Sequence, residues 1–347
     1  MKSRRVTSSR RAPREPAPFD ARAITGQMVA ALRGRRSQRA LSARLGYRVN
    51  VLSGWESGRR QPPAAEVLRL VQRVGIDVRG ALVRFDDRLG AALGELAPWT
   101  VEGVAVLVRT LIDEQTHAQL ARALTTASSP VSRSTVARWA SGRVAPRFSD
   151  LLGIVAACTH RLVDFVGAFV DPARLPSIAR EHARIEAERQ LLAEDPALAA
   201  VLPALTLRAY RALPAHVPGW VATRVGITRA QEERGIALLL AAGAIVRRGA
   251  RFEVAHDRRV DVRADRSAAL RLQRHWAHVA ADQVGRRTSD LTRFHLVSVH
   301  EDDLAALRAL LQALFERVDQ RLAAVDDPDR VALVGVLLQE LGPRAHD

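Results

Sequence analysis

The chain has 347 residues, 48% of them apolar and only 4% aromatic, and a formal net charge of +16. This apolar content excludes a wholly disordered protein, and Val, Leu and Ala supply most of it, which favours helices over sheets. The single cysteine, Cys158, excludes an internal disulfide, and its apolar neighbours favour a buried thiol over a nucleophile. The positive charge indicates a polyanionic partner, nucleic acid or an anionic membrane, although an arginine bias of the genome would also raise it.

Residues 1–20 are predicted to form a disordered basic arm, because Arg, Ser and Pro dominate "MKSRRVTSSRRAPREPAP". No apolar core follows the basic residues, so the segment is not typical of a secretory signal. No apolar stretch approaches the roughly 18 residues that a membrane span needs. We therefore expect a cytoplasmic protein with no membrane partner.

The first predicted domain covers residues 21–88 and consists of short helices. Apolar residues fall at helical spacing from Ile24 to Leu32, and Ser37 stands where the N-cap of a second helix is expected. That helix, "QRALSARLG", stops at Gly46, and "YRVNVLSGWESG" and "PAAEVLRLVQRVG" are predicted to be the next two helices. Short helices joined by tight turns are typical of a helix-turn-helix module.

A second predicted domain, residues 98–171, repeats the pattern of the first. The matched pairs are Leu41 and Leu120, Leu45 and Leu124, Trp55 and Trp139, Gly58 and Gly142, Arg59 and Arg143, and Pro62 and Pro146. Leu45 and Leu52 are seven residues apart, whereas their counterparts Leu124 and Val136 are twelve apart. The second copy therefore has five extra residues between its second and third helices. The repeat predicts one five-helix unit that occurs twice.

The segment "SQRALSARLGYRVNVLSGWESGRRQPP" resembles the Xre-type, or lambda-repressor-like, helix-turn-helix family. The family pattern is Ser-Gln, a small residue inside helix 2, Gly at the turn, and Trp-Glu-x-Gly-x-x-x-Pro from helix 3 onward. The resemblance covers residues 24–80 and is weaker over residues 101–170, where His117 and Ala140 replace the Gln and Glu of the motif. It implies a DNA-binding fold whose third helix lies in the major groove. The second copy is expected to bind DNA poorly or only to support the fold.

The resemblance also implies roles for individual residues. The predicted DNA contacts of the first copy are Gln38, Arg48, Val49, Asn50, Ser53, Arg59 and Arg60, and those of the second are Ser132, Arg133, Ser134, Arg138 and Arg143. Gln38 is expected to contact a phosphate, and residues 48–50 to face the bases, where Asn suits adenine and Arg suits guanine. The two arginines that follow helix 3 in the first copy are expected to contact phosphates.

Apolar side chains on the inner face of each third helix are predicted to pack against the core, because this packing fixes a helix that reads DNA with its outer face. Leu52 and Trp55 have this role in the first copy, and Val136 and Trp139 have it in the second. The first copy keeps the motif residues that the second has lost. We therefore expect the first copy to be the indispensable reader of DNA.

Residues 172–202 are predicted to form a helical linker, whose mixed charges are typical of a solvated face. The next predicted domain, residues 203–260, begins with a helix over "LTLRAYRALP". Its longest helix opens on Thr228 with Gln231 three residues later, the spacing of a capping box. Two short β runs around "RRGA" then predict a hairpin. Helices followed by a hairpin indicate a winged-helix-like domain. The wing tip carries two predicted phosphate contacts, Arg247 and Arg248.

Residues 261–347 are predicted to be a small α+β region, with a helix around "HWAH", a helix from Asp302 to Val325, and strands over "RFHLVSVH" and "DRVALVGVLLQEL". The stretches "RTSDLTRFHLVSV" and "DRVALVGVLLQELGP" resemble the carboxy-terminal domain, of unknown function, of a family of predicted bacterial regulators. We expect a sensor or dimerisation region, which leaves open a homodimer and an unidentified small ligand or peptide. His275 and His278 are three residues apart, but no carboxylate or thiol cluster supports them, so we expect packing histidines rather than metal ligands.

No enzyme signature occurs in the sequence: there is no phosphate-binding glycine loop, no GxSxG and no HExxH. We therefore predict no catalysis, no cofactor and no metal. The predicted fold is mainly α, with two tandem lambda-repressor-like modules, a winged-helix-like unit and a small α+β domain. The predicted function is sequence-specific regulation of transcription through double-stranded DNA. Two alternatives stay open: an antitoxin-like interaction scaffold whose helix-turn-helix units do not bind DNA, and a nonspecific nucleoid protein.

Overall fold

The computed structural model describes most of the chain. The described residues are 19–113, 115–126, 130–255, 266–286, 288, 290–293, 295–323, 325 and 327–341. Helices dominate among them, with one two-stranded sheet, which confirms the predicted mainly helical class. Among these residues the chain divides into two compact units, the first ending at Glu186 and the second beginning at Ala187. The predicted basic arm, apart from Phe19 and Asp20, lies outside the described residues.

The first unit begins with five short helices. They are α1 (Ala21–Arg33), α2 (Gln38–Arg44), α3 (Val51–Glu56), α4 (Ala64–Arg73) and α5 (Val78–Phe85). Local signals set several of their starts, because the side chains of Asp20, Ser37 and Asp77 each accept a hydrogen bond from an amide of the first turn. The connecting turns are tight, and Gly46 and Gly58 adopt φ angles of 89° and 70°, which favour glycine.

A sixth helix, α6 (Asp87–Leu93), is followed by a second run of five helices. They are α7 (Val101–Ile112), α8 (His117–Leu124), α9 (Arg133–Ala140), α10 (Phe148–Thr159) and α11 (Leu162–Gly167). Apolar residues of both runs form one continuous hydrophobic core, which extends from Ile24 in α1 to Phe165 in α11. Phe85 of α5 and Phe165 pack edge to face with ring centroids 5.2 Å apart. The two runs therefore share a single core.

The remaining elements follow the second run. They are α12 (Ala179–Glu194), α13 (Val201–Thr206), α14 (Arg208–Arg211), α15 (Trp220–Val225), α16 (Arg229–Ala241), β1 (Ile245–Arg248), β2 (Arg251–Val254), α17 (Arg266–Gln283) and α18 (Glu301–Ala323), with short 3-10 helices at Pro172–Arg174 and Pro196–Ala200. The strands pair antiparallel, with Arg248 opposite Arg251, which confirms the predicted hairpin. Helix α16 begins with the predicted capping box of Thr228 and Gln231.

Two predictions about the second unit are wrong for the described residues. The helix predicted over "LTLRAYRALP" is divided at Leu207, whose extended backbone separates α13 from α14. Residues 295–300 and 329–341 form no strand, so these segments supply no sheet to the predicted α+β region. An extended apolar segment becomes a strand only when a neighbour satisfies its backbone groups. Apolar side chains of these two segments are not buried: Leu296 and Leu337 are 78% and 72% exposed.

Candidate nucleic-acid interface

The turn between α2 and α3 decides where the third helix begins. The Oδ1 atom of Asn50 accepts a hydrogen bond from the Ser53 N–H at 3.3 Å, so Asn50 is the N-cap and Val51 is the first residue of α3. Arg48 and Val49 therefore lie in the turn before the helix, whereas the sequence placed them in its first turn. All of residues 48–50 are exposed. The start of α3 is therefore accessible to an external partner.

The inner face of α3 is apolar and buried. Leu52 is fully buried and Trp55 is 5% exposed, and the helix packs against α1 and α2. The ring of Tyr47 meets the ring of Trp55 edge to face, with centroids 5.8 Å apart. Burial, assisted by the nearby Glu66, raises the pKa of Tyr47 to about 12. The predicted packing role of Leu52 and Trp55 is confirmed.

A chain of side-chain hydrogen bonds ties α3 to α1 and α2. The Nε atom of Arg33 donates to Oε1 of Glu56 at 2.6 Å, and Nε2 of Gln38 donates to Oε2 of the same carboxylate at 2.7 Å. The Nδ2 atom of Asn50 donates to Oε1 of Gln38 at 3.3 Å. The hydrogen bond to Glu56 raises the pKa of Arg33, so its guanidinium stays charged. Gln38 and Asn50, both predicted DNA contacts, are therefore hydrogen-bonded to each other, and the Glu56 carboxylate fixes Gln38.

Two arginines that follow α3 fold back along it. The backbone N–H of Arg60 donates to the carbonyl oxygen of Gly54 at 2.9 Å. The Arg60 side chain passes so close that a Cβ atom at Gly54 would lie 3.5 Å from its carbons. The Nη2 atom of Arg59 donates to Oγ of Ser53, which is half-buried, at 3.3 Å. Both arginines are exposed, so the structure brings three of the predicted contacts together along α3.

Four more exposed arginines lie on α2 and on the turn before it, and the sequence prediction did not include them. They are Arg35, Arg36, Arg39 and Arg44. The signal was present in the sequence, because "RGRRSQRALSAR" holds five arginines in twelve residues. Positive charge at this density on one short segment attracts a polyanion.

The corresponding helix of the second run, α9, begins differently. Ser132 is its N-cap, and the Ser132 Oγ atom accepts a hydrogen bond from the Thr135 N–H at 3.1 Å. Arg133 and Ser134 therefore lie in the first turn of the helix. When the two tryptophans are aligned, Arg133 corresponds to Val49, so α9 begins two residues earlier than α3. Ser132, Arg133 and Ser134 are all exposed.

Like α3, helix α9 has a buried apolar inner face and an exposed outer face. Val136 is fully buried and Trp139 is 5% exposed, which confirms their predicted packing role. Arg138, at the position of Gly54, is exposed, and so is Arg143 beyond the helix. The five predicted contacts of the second copy are therefore all exposed along or beside α9.

A different contact supports the end of α9. Ala140 takes the place of Glu56, and the Nη1 atom of Arg109 in α7 donates to the Ala140 carbonyl oxygen at 2.6 Å. An arginine of the first helix of each run thus supports the third helix, through a carboxylate in one run and through a backbone carbonyl in the other. Because the carboxylate is missing, the second run has no counterpart of the Glu56 bond to Gln38 among the described residues.

Comparison with known proteins adds one finding. Residues 30–80 match the helix-turn-helix family model. The matched residues run from the end of α1 into α5, and they include the hydrogen-bonded residues around Glu56 and the exposed start of α3. No curated protein and no solved structure gives a significant match to the chain. Residues 30–80 are therefore similar to a helix-turn-helix domain, a type that generally binds DNA.

The predicted phosphate contacts of the second unit lie on β1. Arg247 and Arg248 are both exposed. The Nε atom of Arg248 lies 3.1 Å from a carboxylate oxygen of Glu253 on β2, whereas Arg247 lies opposite Phe252. Arg248 therefore already has an anionic partner, although an exposed pair of this kind is weak.

The part of the chain that the structure describes contains no group of three or more His, Cys, Asp or Glu residues that could hold a metal ion. The Nδ1 atom of His278 lies 2.8 Å from the carbonyl oxygen of Arg274, and His275 packs edge to face against Trp276. Burial raises the pKa of Cys158 to about 12, so its thiol is protonated at neutral pH. None of the described helices is both long enough and apolar enough to span a bilayer.

Proposed function

We propose that the protein is a sequence-specific DNA-binding regulator of transcription whose helix α3 enters the major groove. One observation carries this proposal: α3 combines a buried inner face with an exposed start, residues 48–50, in which Asn50 is hydrogen-bonded to Gln38 and Gln38 in turn to Glu56. A major groove about 12 Å wide admits an α-helix, and base edges are read by side chains on its outer face. The helix-turn-helix match of residues 30–80 supports the same use.

Residues 48–50 and Ser53 are proposed to contact bases. The Arg48 guanidinium suits the two acceptors of guanine, and Val49 suits the methyl group of thymine. The Asn50 amide has two N–H donors. One N–H of Asn50 binds Gln38, which leaves the other for a base.

Arginines and Gln38 are proposed to contact phosphates on either side of the groove. Arg59 and Arg60 are exposed next to α3, and Arg39 and Arg44 are exposed on α2. Contacts of this kind position the protein on the duplex without reading its sequence. Gln38 donates one amide N–H to Glu56. Its other amide N–H is proposed to donate to a phosphate oxygen.

The second run is proposed to be a divergent helix-turn-helix module that uses α9 in the same way. The supporting observation is the exposed row of its five predicted contacts over a buried Val136 and Trp139. Arg133 and Arg138 supply the charge, and the hydroxyls of Ser132 and Ser134 lie 2.8 Å apart. This module lacks the carboxylate that orders Gln38 in the first run. Its contribution to affinity is therefore smaller in this proposal.

The second unit is proposed to contain a winged-helix-like part and a surface for self-association. Helices α13 to α16 followed by the hairpin support the first idea, with Arg247 and Arg248 directed at phosphates. Helix α18 supports the second, because Leu310 and Leu314 are 65% and 49% exposed. Apolar side chains on an exposed helix are typical of a protein contact, here a second copy of the chain. Leu310→Asp is expected to convert a dimer to a monomer in sedimentation, and a monomeric wild type contradicts the idea.

A second candidate function is an interaction scaffold that does not bind DNA. The observation that favours it is the internal use of Gln38 and Asn50, whose amides already have protein partners. Selection from a library of random DNA by the purified full chain separates the candidates. A sharp motif supports the regulator, recovery without a motif indicates a nonspecific binder, and no recovery even at low salt supports the scaffold.

The same selection with Arg48→Ala tests the assignment of α3. We expect one position of the motif to relax by roughly tenfold or more, the value of a lost arginine–guanine contact. Arg84→Ala, which removes an exposed arginine on α5 instead, is the matched control and leaves the motif unchanged. An identical motif for wild type and Arg48→Ala contradicts a base contact by this residue.

A further inference from the structure

The two helical runs of the first unit meet through corresponding residues. The N–H of Ala64, the first residue of α4, donates to the carbonyl oxygen of Pro146 at 2.9 Å. The N–H of Phe148, the first residue of α10, donates to the carbonyl oxygen of Pro62, also at 2.9 Å. The sequence repeat matches Pro62 with Pro146 and hence Ala64 with Phe148. Each run therefore donates and accepts the same hydrogen bond.

This reciprocity gives the first unit a local twofold axis. The two hydrogen bonds flank an antiparallel bridge between Pro63 and Arg147, which are themselves a matched pair. Two strands that pair antiparallel through equivalent residues are related by a twofold rotation. The helices repeat this relation, because α1 packs against α10, α7 packs against α4, and α4 packs against its own counterpart, α10. An interface that uses one surface twice is isologous and usually joins two subunits, but here it lies within one chain.

The bridge is formed by the segments that directly follow the two helices proposed to read DNA. It belongs to the segments that follow α3 and α9, and these segments also carry Arg59, Arg60, Arg143 and Arg147, all exposed. A twofold rotation at the bridge relates α3 to α9 in opposite orientations. The same rotation relates the basic residues of one segment to those of the other.

We infer that a single chain reads one composite DNA site, made of two unequal elements in opposite orientation at a fixed spacing. Helix α3 contacts one element and α9 contacts the other. The elements differ because the exposed side chains of the two helices differ, with Arg48 and Asn50 in one and Arg133 and Arg138 in the other. This inference rests on the proposed function, and it defines the form of the DNA ligand.

The spacing is fixed because the two runs share a core and cannot move apart. Arg161 of the second run donates from Nη1 to the carbonyl oxygen of Phe85 in the first run at 2.7 Å, and its guanidinium lies 4.6 Å from the centre of the Phe85 ring. Duplex DNA turns by about 35° per base pair, since one turn takes about 10 base pairs. Two or three extra base pairs between the elements therefore rotate one of them away from its helix.

The first test measures binding of the full chain to its selected site and to the same site with two or three base pairs inserted at the centre. We expect the affinity to fall by about tenfold or more, because the contacts of one element are lost. An unchanged affinity overturns the fixed spacing, while sequence-specific binding itself still stands. Failure to select any DNA motif overturns the proposed function, so the two failures are distinguishable.

The second test compares two double variants in selections from random DNA. Arg48→Ala with Asn50→Ala is expected to relax one element, and Arg133→Ala with Arg138→Ala the other, by a smaller factor. The Arg84→Ala control relaxes neither. If the first pair relaxes both elements and the second pair relaxes neither, the site is a palindrome read by α3 of two copies. That result overturns the inference and keeps the proposed function.

The bridge itself is tested by amide hydrogen exchange of the full chain. The first amides of a helix have no partner within it, so protection at Ala64 and Phe148 reports the two reciprocal bonds. The Val101 N–H, the first of α7, has no acceptor among the described residues and is the reference. We expect slow exchange at Ala64 and Phe148 relative to Val101, and equal rates overturn the bridge.

Discussion

Asn50 combines a structural role with its proposed contact to DNA. Its side chain caps α3 and also binds Gln38, which in turn binds Glu56. A side chain already held in one orientation loses little conformational entropy when it contacts a base. The internal hydrogen bonds of Asn50 are therefore compatible with its proposed contact to DNA.

Trp55→Ala and Trp139→Ala are each expected to destabilise the first unit by roughly 3–5 kcal/mol, because each removes a large buried side chain from the core. Denaturant unfolding of the full chain measures the change. Val49→Ala, which shortens an exposed apolar side chain, serves as the control and is expected to be nearly neutral. If Trp55→Ala abolishes DNA binding but leaves unfolding unchanged, the tryptophan is a DNA contact instead.

A pH-dependent stability is expected from His216 in the second unit. Burial lowers the pKa of His216 below its ordinary value of 6.5, although Glu232, 3.5 Å away, opposes the shift. The folded unit therefore favours the neutral imidazole. Its contribution is complete above pH 6.5 and is lost as the pH falls below that value, because the unfolded chain then binds more protons.

Calorimetry at a series of pH values checks this expectation. The unfolding temperature of the wild type is expected to fall as the pH is lowered from 7.5 to 5.5, and His216→Gln, which cannot titrate, is expected to show a weaker dependence. The same pH dependence in both proteins contradicts the role of His216.

The C-terminal ends of α3 and α9, the third helices of the two runs, are stabilised in two different ways. Glu56 accepts hydrogen bonds from Arg33 and Gln38 at the end of α3, whereas Arg109 reaches the carbonyl of Ala140 at the end of α9. The carboxylate provides a second acceptor oxygen, and this oxygen orders Gln38 and Asn50. Among the residues that the structure describes, only the first run therefore connects the end of its third helix to the start of that helix.

Glu56→Ala is expected to destabilise the first unit by roughly 1–3 kcal/mol, because the buried parts of Arg33 and Gln38 lose a charged acceptor. Urea unfolding measures the loss, and Glu95→Ala, which removes an exposed carboxylate between α6 and α7, is the control. We also expect weaker DNA binding, since Gln38 and Asn50 lose their fixed positions. Equal stability of the two variants would show that Glu56 has no structural role.

The net charge of the whole chain is +16, and exposed arginines lie on α2 and beside α3. Both features predict that DNA binding depends strongly on salt. Phosphate contacts release counterions, so the affinity is expected to fall by on the order of a thousandfold between 50 and 200 mM salt. Arg59→Ala with Arg60→Ala is expected to reduce the slope of log affinity against log salt by about two. An affinity that does not change with salt rules out nucleic acid as the partner.

Most helices of this protein were predictable from the sequence. The cap at Ser37, the capping box of Thr228 and Gln231, and the buried positions of Trp55 and Trp139 all agree with the structure. These features depend on a few neighbouring residues, on hydrogen bonds within one helical turn and on the spacing of apolar side chains. The exposed positions of most of the predicted contacts were predictable for the same reason.

The tertiary structure alone decided the features that depend on residues far apart in the chain. The bonds between Arg33, Glu56 and Gln38 join three helices. Residues 329–341 have the composition of a strand but find no partner among the described residues. The repeat indicated two similar runs, but it contained no information about their reciprocal pairing at Pro63 and Arg147. A backbone donor and acceptor are present at almost every residue, so only packing of the complete core selects which of them meet.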